Sequence, residues 1–153
     1  MGVTVVDAGV VIAFLDRNDA HHVAATRAIR AARARGDDLI LPASAYSEAL
    51  VNPSRSGRAA VDIVDEVVDG LPLTIESVGR SVAADAAALR AAHGRSLRLP
   101  DALVLATARA SNAGYVWITD DHISTGSPYD TLPTYWSGLN AAAGSGCATQ
   151  PAS

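Results

Sequence analysis

The sequence predicts an α/β fold built on a mainly parallel central sheet. Short β-branched runs alternate with longer helix-periodic segments over residues 3–119, the pattern of strands joined by crossover helices. The first run, "VTVVD" (3–7), is β-branched and continuous up to Asp7, as expected of a buried strand in a parallel sheet. In addition, acidic residues stand directly after strand-like segments, at the carboxyl edge where parallel sheets form their binding crevice.

The elements follow in order. Residues 3–7 form the first strand, and Gly9 to Leu15 a helical turn or two. "AHHVAATRAIRAARARG" (20–36) is helical, with Val23, Ala24, Ala28 and Ile29 near helical spacing and Gly36 as the stop. "DLILP" (38–42) is the second strand, and "ASAYSEALVN" (43–52) a short helix ended by Pro53. In "GRAAVDIVDEVVDG" (57–70), Val61, Val64, Val67 and Val68 face inward and Asp62, Asp65, Glu66 and Asp69 outward. "PLTIES" (72–77) is a strand, and "GRSVAADAAALRAAHG" (79–94) an alanine-rich helix. Pro100 opens a further helix that Gly114 stops. "YVWIT" (115–119) is the fourth strand, and "TYW" (134–136) a short fifth. The expected organisation is one domain over residues 1–140, followed by a low-complexity, disordered tail over 141–153.

With 153 residues, 49% hydrophobic and 18% charged, the chain can bury a full core without staples. The single Cys147 excludes a disulfide framework and a cysteine-based zinc site, which fits a reducing cytoplasm. No apolar run reaches the roughly 18 residues that read as a membrane span, and the N-terminus lacks a basic leader. The net charge of −4 argues against a broad non-specific DNA-binding face.

Asp7 interrupts the most hydrophobic stretch of the chain, where a lone carboxylate would be costly. Asp120 and Asp121 follow "YVWIT", Asp101 lies in the first turn of a helix, and Glu48 sits among Ala45, Ala49 and Asn52 on one helix face. Singly, Asp101 reads as a cap, Glu48 as a surface residue and Asp120-Asp121 as a turn. Together they place acids repeatedly at one sheet edge. Such a cluster stays ionised only around a cation, and an all-oxygen donor set suits Mg²⁺ or Mn²⁺. Phosphoryl transfer by metal-activated water is the usual chemistry of these sites.

At this point "VVDAGVVIAFLDRNDAHH", "YSEALVNP", "LRLPDALVLATA" and "WITDD", in that order over residues 3–124, resemble PIN-domain ribonucleases, and within them VapC toxins of toxin–antitoxin pairs. The resemblance implies a three-layer α/β/α sandwich, a homodimer, and a cognate VapB-like antitoxin. It implies metal-binding and catalytic roles for Asp7, Glu48, Asp101 and Asp121, with Asp120 the alternative fourth acid and Thr119 orienting the acid or the water. The apolar N-terminal helices would serve both the dimer and the antitoxin.

Other residues carry weaker signals. His21 and His22 point about 100° apart on a helix and read as helix-start residues. His122 reads as a surface residue beside the acids. Arg55 and Arg58 in "NPSRSGR", and Arg95 and Arg98 in "GRSLR", are candidate RNA contacts or plain loop arginines. Asn52, one turn beyond Glu48, is a candidate support for it. Ser44, Ser47 and Ser81 lack a nucleophile-elbow context, and no phosphate-cradling glycine pattern is present.

The expected activity is therefore a Mg²⁺-dependent endoribonuclease that leaves a 5′-phosphate. The alternatives are a catalytically inactive PIN-like protein that binds nucleic acid or serves assembly, and a small phosphatase. The phosphatase ranks low because Ala8 and Gly9, not Asp-x-Asp, follow strand one.

Overall fold

The computed structural model describes residues 2–118 and 135–136. Five strands, β1 (Val3–Val6), β2 (Asp38–Pro42), β3 (Leu73–Glu76), β4 (Tyr115–Trp117) and β5 (Tyr135–Trp136), form one sheet in the order β3-β2-β1-β4-β5. Every pairing is parallel, with Val5 opposite Ile40 on one side and Val116 on the other. The helices are α1 (Ala8–Leu15), α2 (His22–Arg35), α3 (Ala43–Ala49), α4 (Val51–Ser56), α5 (Arg58–Asp69), α6 (Arg80–His93) and α7 (Leu99–Ala110), with a short 3-10 turn over Gly94–Ser96.

The inner strands β1, β2 and β4 are covered on both faces, so the core has two halves, while the edge strand β3 is largely exposed. Successive residues of a strand point to opposite faces. Val5 and Val116 join Val82, Ala86 and Leu89 of α6, Leu105 of α7 and Leu97 between them. Val6 and Trp117 join Val10, Ala25, Ile29, Leu39 and Leu41 on the side of α1, α2 and α3. This is the expected three-layer α/β/α sandwich. Leu39, Leu41, Leu97 and Leu105 are fully buried, each contributing about 1.5–3 kcal/mol relative to exposure.

The main departures from expectation have local causes. The segment expected as one helix over 43–52 is two, because Pro53 lacks the N–H that would bond the carbonyl of Ala49. Pro53 instead falls in the first turn of α4, where a missing donor costs nothing. α7 ends at Ala110, before Gly114. Asn112 takes the left-handed conformation (φ 48°), and Ala113 N–H donates to the carbonyl of Ala108. Gly114 instead donates to Val3 at the sheet edge. Of the apolar positions at helical spacing in α2, Val23 is 66% exposed; Ala25, Ile29 and Ala32 form the buried stripe. On α5, Val64 and Val68 are buried, whereas Val61 and Val67 are only half-buried. Residues 141–153, the expected tail, lie outside the described residues.

The N-terminus is held by Asp37, one of the few buried polar residues. It accepts from Gly2 N–H at 2.9 Å and from Arg35 Nε at 2.7 Å. The bond from Arg35 holds the Asp37 carboxyl below its ordinary value; burial opposes this, and the Gly2 N–H reinforces it. A depressed carboxylate stabilises the fold above its unfolded pKa near 4, and that contribution is lost as pH falls through the lower folded value. Asp37→Asn should therefore lower the melting temperature at pH 7 and flatten the acid limb of a thermal-melt pH series below about pH 4. An acid limb identical to wild type would show that the clamp contributes nothing.

Candidate active site at the sheet switch point

The chain leaves β1 toward β2 and β3, then returns to place β4 on the other side of β1. The gap between the carboxyl ends of β1 and β4 is thus the topological switch point, where open α/β sheets form their crevice. Asp7 follows β1 at this gap, its N–H bonded to the carbonyl of Trp117 at 3.0 Å. A cleft of about 310 Å³ opens here. Asp7, Ala8, Gly9 and Ile12 form one wall, Ala45 and Glu48 a second, and Arg98, Pro100, Asp101 and Val104 a third.

Each acid is placed by its local structure. Asp7 is the N-cap of α1: its Oδ1 accepts from Val10 N–H at 2.9 Å. The cap ties the carboxylate to the helix end, where the dipole favours negative charge. This answers why the apolar stretch carries an acid, since the half-buried carboxylate ends a strand and starts a helix at the cleft. Asp101 is in the first turn of α7, after Pro100, and faces the same positive helix end. Glu48 is exposed, one turn beyond Ala45 on α3, whose small side chain leaves the cleft open.

α3 is itself anchored by Tyr46, whose hydroxyl donates to Asp65 of α5. That bond, then burial, then the charges of Asp65 and Asp69 push the phenol up to about 12. Tyr46 therefore stays a neutral donor through the physiological range, two residues from Glu48. Sequence reasoning passed over it although it lies in "YSEALVNP"; the periodicity of α3 gave no sign of its partner on α5.

Of the arginines singled out, Arg98 lines the cleft, while Arg55 in α4 and Arg95 in the 3-10 turn are not among its walls. Asn52 Oδ1 accepts from Arg55 at 3.3 Å, with no bond to Glu48. His22 Nδ1 bonds the carbonyl of Ala13 at 2.8 Å and His21 Nδ1 lies 3.4 Å from Asp19, so both fasten the start of α2. Thr119, Asp120, Asp121 and His122 lie outside the described residues.

Three carboxylates, with no sulfur or imidazole among the cleft walls, are the donors a hard cation such as Mg²⁺ prefers. Among the described residues, no three acidic, histidine or cysteine side chains are gathered tightly enough to form a finished metal cage.

A family model described as PIN domain matches residues 4–125. The chain belongs to the PIN domain family. Solved structures resemble this PIN domain at low identity. One is VapC20 of Mycobacterium tuberculosis, a sarcin–ricin loop cleaving toxin, at 19% identity over 77% of this chain and 90% of that one, TM-score 0.63. A toxin–antitoxin complex from Klebsiella pneumoniae matches at 17% identity over 88% of this chain and 97% of that one, TM-score 0.64. VapBC2 from Rickettsia felis, bound to a DNA fragment from the promoter, matches at 12% identity over 88% and 98%, TM-score 0.65. Identities this low establish a shared fold. A search of curated proteins gives no match. In this PIN domain no helix among the described residues is long and apolar enough to cross a membrane.

Because Asp7 both caps α1 and faces the cleft, its two roles separate by substitution. Asp7→Asn keeps a capping oxygen and should melt close to wild type, whereas Asp7→Ala should lose about 1 kcal/mol in denaturant unfolding. Equal losses for both would show that the carboxylate charge, not the cap, stabilises the fold.

Proposed function

We propose that this PIN domain is a Mg²⁺-dependent endoribonuclease and the toxin of a VapBC-type pair, working in the cytoplasm as a homodimer. One observation carries the reading: Asp7, Glu48 and Asp101, far apart in sequence, line a single cleft at the switch point of a PIN-family sheet. The fold neighbours lend support, since one is described as cleaving the sarcin–ricin loop and others as toxin–antitoxin assemblies.

In this reading Asp7, Glu48 and Asp101 hold the cation from three walls, and Asp121, or Asp120 in its place, completes the set with Thr119 in support. When bound, Mg²⁺ or Mn²⁺ supplies Lewis-acid activation of water and neutralises charge on the phosphoryl group. The chain supplies the positioning. The Val10 N–H fixes the Asp7 carboxylate, α7 presents Asp101, and the Tyr46–Asp65 bond steadies the helix that brings Glu48. Arg98, the cation on the cleft wall, grips the phosphodiester beside the carboxylates. Arg55 and Arg95 extend contact to the flanking RNA, and Asn52 orders Arg55. Hydrolysis leaves a 5′-phosphate without using the ribose hydroxyl. A cognate VapB-like antitoxin inhibits by placing an arginine among the carboxylates, competing with the cation by charge.

Expression without the partner, followed by 5′-end sequencing of cellular RNA, should reveal discrete new 5′-phosphate ends. With purified protein, Asp7→Asn and Glu48→Gln should each slow cleavage roughly 100-fold or more, the scale of losing one preorganised electrostatic contact. EDTA should abolish activity and Mg²⁺ restore it. Cleavage that survives chelation, or an undiminished Asp7→Asn rate, would sink metal catalysis here. RNA binding with no cleavage under any metal would identify the protein as the inactive, nucleic-acid-binding kind of PIN domain.

A further inference from the structure

Charge is unevenly distributed in this acidic chain. It has no lysine, so its 12 basic residues are all arginines. Four of them, Arg27, Arg30, Arg33 and Arg35, lie on α2, which carries no acidic residue. Arg35 is committed to Asp37. The other three are exposed, and among the described residues none enters an ion pair.

Their placement follows from the helix geometry. The buried stripe of α2 is Ala25, Ile29 and Ala32, packed with Val10, Val11 and Ala13 of α1 and with Leu39. At about 100° per residue, Arg27 and Arg30 stand opposite that stripe and Arg33 on its flank. The three make a ribbon that climbs about 4.5 Å per step. Unpaired arginines on one face repel one another, so the face is at its most favourable when an external anion lies along it. A polyanion with regularly spaced phosphates fits such a ribbon, and the guanidinium fork matches phosphate geometry.

The position suits the cleft as well. α1 is a shared wall, with Ala8, Gly9 and Ile12 lining the cleft and Val10, Val11 and Ala13 backing α2. The bond from His22 to Ala13 fixes the two helices together. The ribbon therefore lies on the order of two helix diameters, about 20 Å, from the carboxylates.

We infer that the outer face of α2 is a second RNA-docking surface, on which Arg27, Arg30 and Arg33 hold backbone phosphates of a strand whose scissile bond lies in the carboxylate cleft. The inference rests on RNA being the substrate, as proposed above. It explains how a chain of net charge −4 retains a polyanion beside three carboxylates: attraction is concentrated on one helix and separated from the chemistry.

The test is the binding of a single-stranded RNA oligonucleotide of about 20 nucleotides, followed by fluorescence anisotropy in EDTA between 50 and 200 mM salt. The wild-type chain of 153 residues is compared with the triple variants R27Q/R30Q/R33Q and R27K/R30K/R33K, each checked by circular dichroism melting. At about 0.7 per phosphate contact on a single strand, removing three contacts should reduce the slope of log K against log salt by about 2. The wild-type advantage over the glutamine variant should then shrink roughly twentyfold across that salt range. The lysine variant should keep the salt slope. A glutamine variant that binds RNA with wild-type affinity and slope overturns the inference, including where it has lost affinity for an acidic antitoxin segment. Because binding is read without metal, this outcome is distinct from failure of the nuclease reading, in which RNA binds with the predicted slope but is not cut when Mg²⁺ is added.

Discussion

Burial of the central sheet on both faces is the constraint from which the site follows. A parallel strand covered on each side carries no charge along its length, and β1 meets this with Val5 turned to one half-core and Val6 to the other. The first position open to a charge is the one just past its carboxyl end. There the crossover begins, the backbone of Asp7 bonds to Trp117, and α1 starts. Because β1 is central and β4 returns on its far side, that position is also the switch point. The cleft is a by-product of sheet topology, and Asp7 stands where the topology leaves a gap.

Carboxylates converging on such a gap repel one another, and the fold offsets this with fixed dipoles. Asp7 is bound to the first turn of α1 and Asp101 rides the first turn of α7, so two helix ends point positive charge into the cleft. Arg98, whose carbonyl accepts the first bond of α7 from Ala102, adds a full positive charge at the wall. Glu48 has no such support and is the most exposed of the three. Its position depends on α3 as a rigid body, which the buried Ala45 and Ala49 and the Tyr46–Asp65 bond hold against the rest of the fold.

Small side chains make these approaches possible. α2 packs through Ala25, Ile29 and Ala32, and α7 is buried through Ala102, Val104, Leu105, Ala106 and Ala108. A chain with only 5% aromatic residues fills its layers by bringing backbones close together, not by inserting large rings. Apart from the buried Asp37, charge is concentrated on outer faces, with the arginines of α2 and the acids of α5 on separate helices.

Much of this was legible in the sequence. Period and composition determined the strand segments, six helical stretches, with α3 and α4 read as one, and the alternation that implies a parallel sheet. They also marked Asp7 and Asp101, acids at a strand end and a helix start, and Glu48 by the small residues beside it on one helix face. Tertiary structure alone decided what depends on partners distant in the chain. Arg98 lines the cleft as the residue that caps α7, whereas Arg95 lies in the 3-10 turn before it and is not among the cleft walls. Asn52 turns to Arg55, Tyr46 finds Asp65, and Val23 is left outside while Ala25 goes in. Local pattern reports what a residue prefers; only packing reports what it meets, since a neighbour across the fold carries no signature in the spacing of either partner.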